Sequence, residues 1–319
     1  MTGTPEFSVL IVNYNGGRFL QGALDSLKRQ THRDFEVILV DNASADGSAD
    51  ALDTGGLPAF TLLRQTENLG FARANNLGSE TARGRWLALL NPDTEADPGW
   101  LAALSAAAAR HPGRRTFASA QLKLGDESVL DGAGDAYSLF GFPWRGGFGR
   151  AAGDLPSADG LCFSACGASA MYAADLFREL GGFDERFFCY CEDVDLGFRL
   201  QLAGEDCVFV PSAVVRHAGS GIAGQASPFA TYHGTRNRVW TYAKNMPLAL
   251  LLLTLPGHIA LTLYVLARNA FTPRFQPMLR GLTDGVLGLP KITGSPLWRE
   301  PARTIRLWAL ARRMAWNPW

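Results

Sequence analysis

Short apolar runs rich in β-branched residues alternate with helical patterns over the first part of the chain. We also predict a short helix between the second and third of these runs. Strands that alternate with helices at this spacing are typical of βαβ units, in which helices cover both faces of a mostly parallel sheet. The sequence therefore predicts an α/β fold with strands at "FSVLIVN" (7–13), "FEVILVD" (35–41), "AFTLLR" (59–64) and "RWLALLN" (85–91), and with helices in "GRFLQGALDSLKRQ" and "GFARANNLGSETA".

Polar residues follow the predicted strands at the point where each strand ends. In covered parallel sheets, ligands bind in the crevice beyond the carboxyl ends of the strands. No G-x-G-x-x-G follows the first strand and no G-x-x-x-x-G-K-[ST] occurs, so we expect neither a dinucleotide-binding fold nor a P-loop. The residues expected to share one polar rim are Asn13, Tyr14, Asn15, Asp41, Asn42, Glu67, Asn68, Asn91 and Asp93.

The fourth predicted strand stops at Asn91-Pro92-Asp93. Asn-Pro favours a turn, and an aspartate supports one by bonding the backbone, so a plain turn is one interpretation. The other is that Asp93, fixed at a strand end, supplies a hard oxygen ligand to Mg²⁺ or Mn²⁺, which keeps open positions for a diphosphate. The residues themselves leave both interpretations open.

Three acids, Glu192, Asp193 and Asp195, follow an aromatic run at 187–190. Asp193 can cap a helix that begins near Val194, where the helix dipole stabilises acids. A carboxylate beside an apolar wall can instead have its pKa raised enough to act as a general base. Both readings of this acidic segment stay open at this point.

His217 and the pair Arg236 and Arg238 are further polar candidates. A histidine that follows a strand is usually structural, although neutral imidazole is also a common metal ligand. The two arginines, in "HGTRNRVW", can hold phosphate through bidentate hydrogen bonds or can lie on a solvated helix face. Each of these sites, taken singly, has an ordinary structural explanation.

A Gly-rich stretch, "DGAGDAYSLFGFPWRGGFGRAAGD" (131–154), interrupts the regular pattern. It is too long for an ordinary connection, and long loops of this kind are often active-site lids or binding loops. Regular patterns return after it, with a strand and a helix in "LCFSACGASAMYAADLFREL" and a strand at "CVFVP". We therefore expect this stretch to be a loop at a functional site.

Six segments taken together resemble a known family. In this order and spacing, they are similar to family 2 glycosyltransferases of the GT-A fold, particularly the bacterial rhamnosyltransferase-like branch. The resemblance covers about residues 7–245 and implies a Rossmann-like sheet flanked by helices. The segments are "VNYNGGRFL", "VDNASADGS", "ENLGFARANN", "LLNPDT", "GGFDERFFCYCEDVDLGFRL" and "VVRHAGSG".

The resemblance implies a donor site at the strand ends. Asp41 would contact the base of a nucleotide-sugar, and Asn13, Asn15 and Asn68 would line the same cleft. Arg236 is a further candidate for holding the donor phosphates.

The resemblance also implies a metal site and a catalytic base. Asp93 would be the metal-binding end of the family's D-x-D motif, with Asn91 in place of the first aspartate and on the donor side. His217 would be a further ligand to Mn²⁺ or Mg²⁺. Asp193 would be the catalytic base, and Glu192 would assist it.

The implied activity is that of an inverting, metal-dependent glycosyltransferase. We expect the sugar to be rhamnose from dTDP-rhamnose, with other dTDP- or UDP-sugars open, and the acceptor to be a lipid-linked glycan or polysaccharide precursor. One rival is a sugar nucleotidyltransferase, which should carry a Gly- and basic-rich loop after its first strand that "NYNGGRFL" fits poorly. The other is a non-catalytic scaffold that retains the GT-A fold.

Charge and cysteine usage bear on location. The 319 residues have no net charge, but ten Lys/Arg and two acids lie from Lys244 onward, so the rear of the chain is basic. "MTGTPEFSVLIVNYN" lacks a basic start, so we expect no signal peptide. Five cysteines without a secretory context fit reduced thiols in the cytoplasm, and the pairs Cys162/Cys166 and Cys189/Cys191 are weak zinc candidates.

The rear of the chain predicts a membrane-associating segment. Residues 248–267 contain no Lys, Arg, Asp or Glu, and a stretch of this length is about long enough to span a bilayer. Pro256 interrupts this stretch. The basic and Trp-containing tail suits anionic headgroups, and no nucleic-acid module is recognisable. We predict a catalytic domain at 1–243 and a helical segment at 244–319, peripheral on the inner face of the plasma membrane, with a transmembrane span, a helical cap and a homo-oligomer interface left open.

Overall fold

The four predicted N-terminal strands form the parallel half of a central sheet. The computed structural model describes residues 3–219, 227–294 and 305–316. The spatial order is β4-β1-β2-β3, and every neighbouring pair is parallel. All residues of the first two strands are buried, which explains the apolar runs at 9–12 in β1 and 37–40 in β2. The strands are β1 (Phe7–Asn13), β2 (Phe35–Asp41), β3 (Phe60–Arg64) and β4 (Trp86–Leu89).

The other half of the sheet is mixed. β11 runs antiparallel between β4 and β6, and β12 lies parallel to β6 on its far side. β5 pairs with the end of β12, β7 with β6 and β10 with the start of β12, while β8 and β9 form a separate two-stranded sheet. These strands are β5 (Thr94–Ala96), β6 (Thr116–Lys123), β7 (Asp126–Ala133), β8 (Asp135–Tyr137), β9 (Pro143–Arg145), β10 (Gly160–Cys162), β11 (Ala170–Ala173) and β12 (Cys207–His217).

Helices cover the sheet and continue beyond it. The two helices predicted between the N-terminal strands are confirmed as α1 and α2, and the α/β class is confirmed with them. The helices are α1 (Gly17–Lys28), α2 (Gly70–Thr81), α3 (Trp100–Arg110), α4 (Ala174–Glu179), α5 (Glu192–Leu202), α6 (Pro228–Asn245), α7 (Leu248–Arg268), α8 (Phe275–Leu287), α9 (Leu289–Thr293) and α10 (Leu307–Arg313).

The prediction of a short helix between β2 and β3 is wrong. Turns occupy this segment, and its polar side chains bond to nearby groups instead of leaving the backbone to form a helix. Ser44 Oγ accepts from the backbone of Asn15 at 3.0 Å, and Asp46 Oδ1 accepts from the backbone of Ser48 at 3.0 Å. Serine and aspartate side chains compete with helical hydrogen bonds in this way.

The Gly-rich stretch is more ordered than predicted. It contains the end of β7, both strands of the small sheet and a 3₁₀ turn at Ala152–Asp154. Gly141, with φ of 79°, lies where a β-carbon would sit 2.5 Å from the ring of Tyr242, so the chain can reverse there only without a side chain. This turn brings β9 back toward the polar rim of the main sheet.

Helix α6 packs against both the α/β part of the protein and the rear of the chain. The predicted domain division between residues 243 and 244 falls inside this helix. Tyr242 packs into a second hydrophobic core with Tyr137, Phe198 and Leu310. The end of the sixth motif and the tail residues Trp298, Arg299, Arg303 and Trp319 lie outside the described residues.

Candidate active site

A cleft of about 1050 Å³ opens at the carboxyl ends of the parallel strands. Its walls come from the strand ends, from β9, from the start of α5 and from α6. Most of the sequence-predicted site residues meet there. The side chains that line it include Asn15, Asn42, Asn68, Asn91, Asp93, Asp135, Trp144, Arg145, Cys166, Phe188, Tyr190, Glu192, Asp193, His217 and Phe229.

Asn13 and Asp41 form the framework under the donor end of the cleft. They are register partners at the ends of β1 and β2, and Asn13 Nδ2 donates to Asp41 Oδ1 at 3.1 Å. The same amide donates to Ser44 Oγ and Ser48 Oγ, so it organises the turn after β2. Neither Asn13 nor Asp41 is among the described residues that line the cleft.

Asn42 and Asn68 bridge the ends of β2 and β3. Asn42 Nδ2 donates to Asn68 Oδ1 at 2.9 Å, while Asn42 Oδ1 accepts from the backbone of Leu69 at 2.8 Å. Asn15 completes this rim with φ of 55°, a conformation that asparagine tolerates better than most residues. Asn15 and Asn68 line the cleft at the position where the resemblance implies a nucleotide, whereas Asn42 is 1% exposed and holds Asn68 in place.

The segment after β4 forms a turn that also lines the cleft. The backbone of Thr94 donates to Asn91 O at 3.1 Å, which closes the turn around Pro92. Asp93 is only 4% exposed and lines the cleft, since β5 directly after it pairs Thr94 with His217. Both interpretations of this segment are therefore compatible, because the turn carries Asp93 to His217.

His217 stands between two carboxylates. Its Nε2 lies 3.4 Å from Asp93 Oδ1, and its Nδ1 lies 2.7 Å from Asp131 Oδ2. Burial lowers the pKa of His217, but the hydrogen bonds to Asp131 and Asp93 outweigh it and raise the pKa overall. Asp131 also pairs with Arg145. A carboxylate that holds one imidazole nitrogen and leaves the other for a ligand is the usual support of a metal-binding histidine.

The donor atoms in this corner fit a divalent ion. Asp93 offers a carboxylate and His217 a ring nitrogen, and the buried Asn91 Oδ1 has no hydrogen-bond partner among the described residues. Carboxylate and amide oxygens suit Mg²⁺ and Mn²⁺, and a neutral imidazole nitrogen is a common metal ligand. The residues of the predicted metal site are thus brought together.

Asp131 provides a test of this corner. Asp131→Ala should weaken Mn²⁺ binding by about 10- to 100-fold, because His217 loses the group that orients it. Asp131→Asn, which keeps an oxygen to accept from Nδ1, should weaken it less. Calorimetric Mn²⁺ titration measures both, with Glu127→Ala, a carboxylate of β7 that pairs with Arg216, as the matched control. Unchanged Mn²⁺ affinity in Asp131→Ala would remove His217 from the metal site.

Asp193 faces the cleft from the first turn of α5. The helix begins at Glu192, two residues before its predicted start, and Cys191 rather than Asp193 occupies the N-cap position. Asp193 Oδ2 accepts from the backbone of Gly167 at 2.8 Å, and Oδ1 accepts from that of Val194 at 2.8 Å. Burial raises the pKa of Asp193, and these hydrogen bonds offset only part of the effect. The carboxylate is held in one orientation and is more basic than an ordinary aspartate.

Glu192 has a different electrostatic state. It is 4% exposed, and its Oε2 lacks a hydrogen-bond partner within the described residues. Burial and the neighbouring Asp193 raise the pKa of Glu192 well above its ordinary value. A raised pKa favours the protonated form of the carboxyl group, which can donate a hydrogen bond. The two adjacent acids are thus suited to separate roles.

A strained loop delivers these acids. Phe188, Tyr190 and Cys191 all have φ between 64° and 70°, a region that costs roughly 1–3 kcal/mol for each non-glycine residue. Asn237 offsets this cost from α6, where its buried Nδ2 donates to the carbonyl oxygens of Phe187, Cys189 and Tyr190 at 2.7–2.9 Å. The loop conformation is therefore imposed by a helix that follows it by some 45 residues.

Arg236 is not brought into the cleft. Its guanidinium donates to Phe187 O at 2.9 Å and lies 4.4 Å from the ring centroid of Trp240. In this position it supports the same strained loop as Asn237. The structure therefore does not place it beside the other predicted donor residues.

Three residues of the cleft were not predicted. Asp135 and Arg145 come from the small β8–β9 sheet, and Cys166 lies beside Asp193. Ligand atoms of Asp135, Cys166 and Asp193 lie within 4.8 Å of one another. Burial raises the pKa of the Cys166 thiol to about 12, so it is neutral, and burial also raises the pKa of Asp135. The available signal was the presence of Asp131, Asp135 and Arg145 in a Gly-rich stretch.

The sequence matches a family and a curated relative. The model for Glycosyl transferase family 2 matches residues 8–180. The N-acetylglucosaminyl-diphospho-decaprenol L-rhamnosyltransferase of Mycobacterium tuberculosis is 32% identical in an alignment of 303 positions that covers 84% of this chain and 94% of the relative.

The fold matches solved glycosyltransferases. The mannosyltransferase PcManGT from Pyrobaculum calidifontis, solved with GDP-Man and Mn²⁺, superposes with a TM-score of 0.57 at 20% identity, over 98% of this chain and 87% of that one. TarS 1–349 from S. aureus, solved with UDP-GlcNAc, gives 0.59 at 16% identity, over 91% and 83%. With the family match and the observed sheet, this chain belongs to glycosyl transferase family 2 and is a glycosyltransferase of the GT-A fold.

Proposed function

We propose that this enzyme transfers rhamnose from dTDP-rhamnose to a polyprenyl-diphosphate-linked N-acetylglucosamine. The observation that carries this proposal is the similarity to the mycobacterial rhamnosyltransferase, which extends over 84% of this chain and 94% of that protein. The name of the relative specifies both the sugar and the lipid-linked acceptor. The geometry of the cleft supports a transfer reaction of this kind.

The strand ends form the donor side of the proposed reaction. Asn15 and Asn68 offer amides to the nucleotide, and Asn42 holds Asn68 in place. Asp41 acts from below by holding the framework around Asn13. Asp93 and His217 would hold a divalent ion, with Asn91 beside them. When bound, that ion supplies positive charge that stabilises the departing diphosphate.

Asp193 acts as the base on the acceptor. It takes the proton of the acceptor hydroxyl while the hydroxyl oxygen bonds to the anomeric carbon and the bond from that carbon to the diphosphate oxygen breaks. The products are the glycoside and dTDP, and the proton stays on Asp193 until solvent removes it. A single displacement inverts the anomeric configuration, and a carboxylate base on one face of the sugar matches this logic.

Aromatic side chains form the acceptor wall of the cleft. Phe188 and Tyr190 from the strained loop lie 6.3 and 6.1 Å from the ring of Phe229 on α6, measured between ring centroids. His233 packs against Phe229 at 4.5 Å, and burial lowers the pKa of His233 to about 4, so it is uncharged at neutral pH. An uncharged aromatic wall suits the apolar face of a sugar and the first part of a lipid.

The proposed location follows from the acceptor. A lipid-diphosphate sugar sits at a membrane surface, and a nucleotide-sugar donor is cytoplasmic, so we place the enzyme on the inner face of the plasma membrane. The basic rear of the chain suits the anionic lipids of that face.

Nucleotide binding tests the donor site. We expect dTDP to bind more tightly with Mn²⁺ than without it, and more tightly than UDP or GDP. Asp93→Ala should remove the Mn²⁺ dependence, because it removes the carboxylate that the metal and His217 share. Calorimetry on the purified chain measures this, with Asp126→Ala, an exposed carboxylate of β7, as the matched control.

Two outcomes would favour the rivals. Release of pyrophosphate from dTTP and a sugar 1-phosphate would indicate a nucleotidyltransferase. Absence of binding for all three nucleotides, in a chain that melts cooperatively, would indicate a scaffold.

A further inference from the structure

Helix α7 has two different faces. Its buried residues recur at every fourth position, as Leu250, Thr254, His258 and Thr262. The opposite face, which we call the α7 apolar face, carries large exposed side chains, and only 22% of the most apolar 18-residue stretch of the helix is buried. The α7 apolar face consists of Leu248, Leu252, Leu253, Ile259, Leu263 and Tyr264, and Leu253 is 75% exposed.

The buried face of α7 is polar and is bonded to the catalytic unit. Thr254 Oγ1 lies 2.8 Å from Tyr242 Oη, and His258 Nδ1 lies 2.7 Å from Phe140 O. The ring of His258 also stacks on that of Tyr242, with centroids 4.0 Å apart. Burial lowers the pKa of His258 to about 4, so this stripe carries no charge at neutral pH.

This attachment is incompatible with a helix that crosses a bilayer. In the described ranges, 3–219, 227–294 and 305–316, α7 is the one helix long and apolar enough to span. The buried stripe from Leu250 to Thr262 covers about 18 Å of its length, and Thr254 and His258 in the middle of it are the residues bonded to the rest of the protein. Thr254 also bonds to Leu250 O within the helix, but a crossing helix would either leave His258 Nδ1 unsatisfied in lipid or draw the Phe140 backbone into it. The length of α7 therefore does not make it a span.

The charges around α7 identify what covers its apolar face. Arg268 at the end of the helix and Arg274 just after it are exposed, and Arg280 and Lys291 are exposed further on. Asp284 is the one acid between residues 246 and 294. Trp308 and Trp316 are also exposed, at 74% and 66%. A second copy of the chain would bury the apolar residues but leave these cations unpaired, whereas anionic headgroups satisfy both.

We propose that α7 lies flat on an anionic membrane surface, with its apolar face among the lipids and its polar stripe on the catalytic unit. The contact at Phe140 is followed directly by Phe142 and β9, of which Trp144 and Arg145 line the cleft. The membrane face and the acceptor side of the cleft thus share one structural support. The role of this arrangement in reaching a lipid-linked acceptor rests on the proposed function, but membrane binding itself does not.

Vesicle sedimentation tests the proposal. The full-length chain should bind preformed vesicles that contain phosphatidylglycerol and should bind phosphatidylcholine vesicles much more weakly. Leu252→Asp with Leu253→Asp should lower the bound fraction at least about 10-fold, because two charges would enter the lipid. Leu161→Asp, at an equally exposed leucine on β10, is the matched control and should bind normally.

A second pair of substitutions keeps the test independent of folding. Arg268→Glu with Arg274→Glu changes only exposed positions and should weaken binding to the anionic vesicles selectively. Nucleotide binding in solution should be unchanged in both double variants, which separates a failure of membrane docking from a failure of the donor site.

Three results would overturn the proposal. Unchanged vesicle binding in both double variants would exclude this face. Retention through an alkaline carbonate wash, with release only by detergent, would indicate a span. A change from dimer to monomer in the leucine variant, with vesicle binding intact, would assign the face to a second copy.

Discussion

Replacing Asp193 by asparagine is expected to lower the rate of sugar transfer by about 10²- to 10⁴-fold, the usual contribution of a general base. Nucleotide binding should be retained, because Asp193 lies at the start of α5 and not among the asparagines at the strand ends. Glu192→Gln should lose much less, because the raised pKa of Glu192 favours its protonated form, which an amide resembles. Steady-state transfer and calorimetric dTDP binding on the two variants measure the difference.

The pH dependence of the same reaction gives a second readout of Asp193. Burial raises its pKa, with Arg145 and two backbone N–H groups acting in the opposite direction. A base works in its deprotonated form, so kcat/KM should rise with pH through a pKa above that of an ordinary aspartate. Asp135, Glu192 and Cys166 also face this carboxylate, and none of them adds positive charge. An Asp193→Asn enzyme with near-native transfer and an unchanged acid limb would contradict the base assignment.

Replacing Lys244 by methionine is expected to destabilise the fold by about 3–5 kcal/mol, the usual cost of leaving buried charges unpaired. Lys244 Nζ lies 2.8 Å from carboxylate oxygens of both Asp184 and Asp195, and all three side chains are at most 2% exposed. Burial alone would raise the pKa of each carboxyl group, but Lys244 and nearby arginines lower both values. Without Lys244, the two carboxylates keep only Arg186 and Arg199 as cationic partners.

The sign of the pH effect follows from these shifts. Carboxyl groups with a lowered pKa in the folded state stabilise it above their unfolded pKa, and the contribution is lost as pH falls. Urea unfolding should therefore show a steeper loss of stability toward acid pH in the native chain than in Lys244→Met. Lys28→Met is the matched control, since Lys28 also pairs with two aspartates but at the surface, and its unfolding midpoint should change little. Equal midpoints for the two variants would contradict the structural role of Lys244.

The parallel half of the sheet was predictable because its signals are local. β1 and β2 contain apolar runs at 9–12 and 37–40, and α1 and α2 show helical periodicity, so pattern alone is enough. The turn conformation of the segment after β2 could not be predicted, because it depends on hydrogen bonds from Asn13 to Ser44 and Ser48. These serines lie some thirty residues away from Asn13 in the sequence. Long-range side-chain bonds of this kind have no periodic signature.

The residues of the site also divide into those with a local sequence signal and those whose roles depend on long-range contacts. Asn15, Asn68, Asp93, Asp193 and His217 meet in one cleft as predicted from strand ends and motifs. The supporting residues could not be predicted in the same way. Asp131 bonds to His217 although the two residues are 86 positions apart in the sequence. Asn237 donates to three carbonyl oxygens of the loop before Glu192. Their roles depend on how β7 and α6 pack, which neither residue reveals in the sequence.

The most direct test of the proposed function is a transfer assay. The purified chain would be incubated with Mn²⁺, dTDP-rhamnose and a polyprenyl-diphosphate-linked N-acetylglucosamine, with UDP-GlcNAc and GDP-mannose as competing donors. We expect the acceptor to gain one deoxyhexose, with release of dTDP and an anomeric configuration opposite to that of the donor by NMR. Transfer of a different sugar at a higher rate, or no product from a chain that binds dTDP, would contradict the proposed reaction.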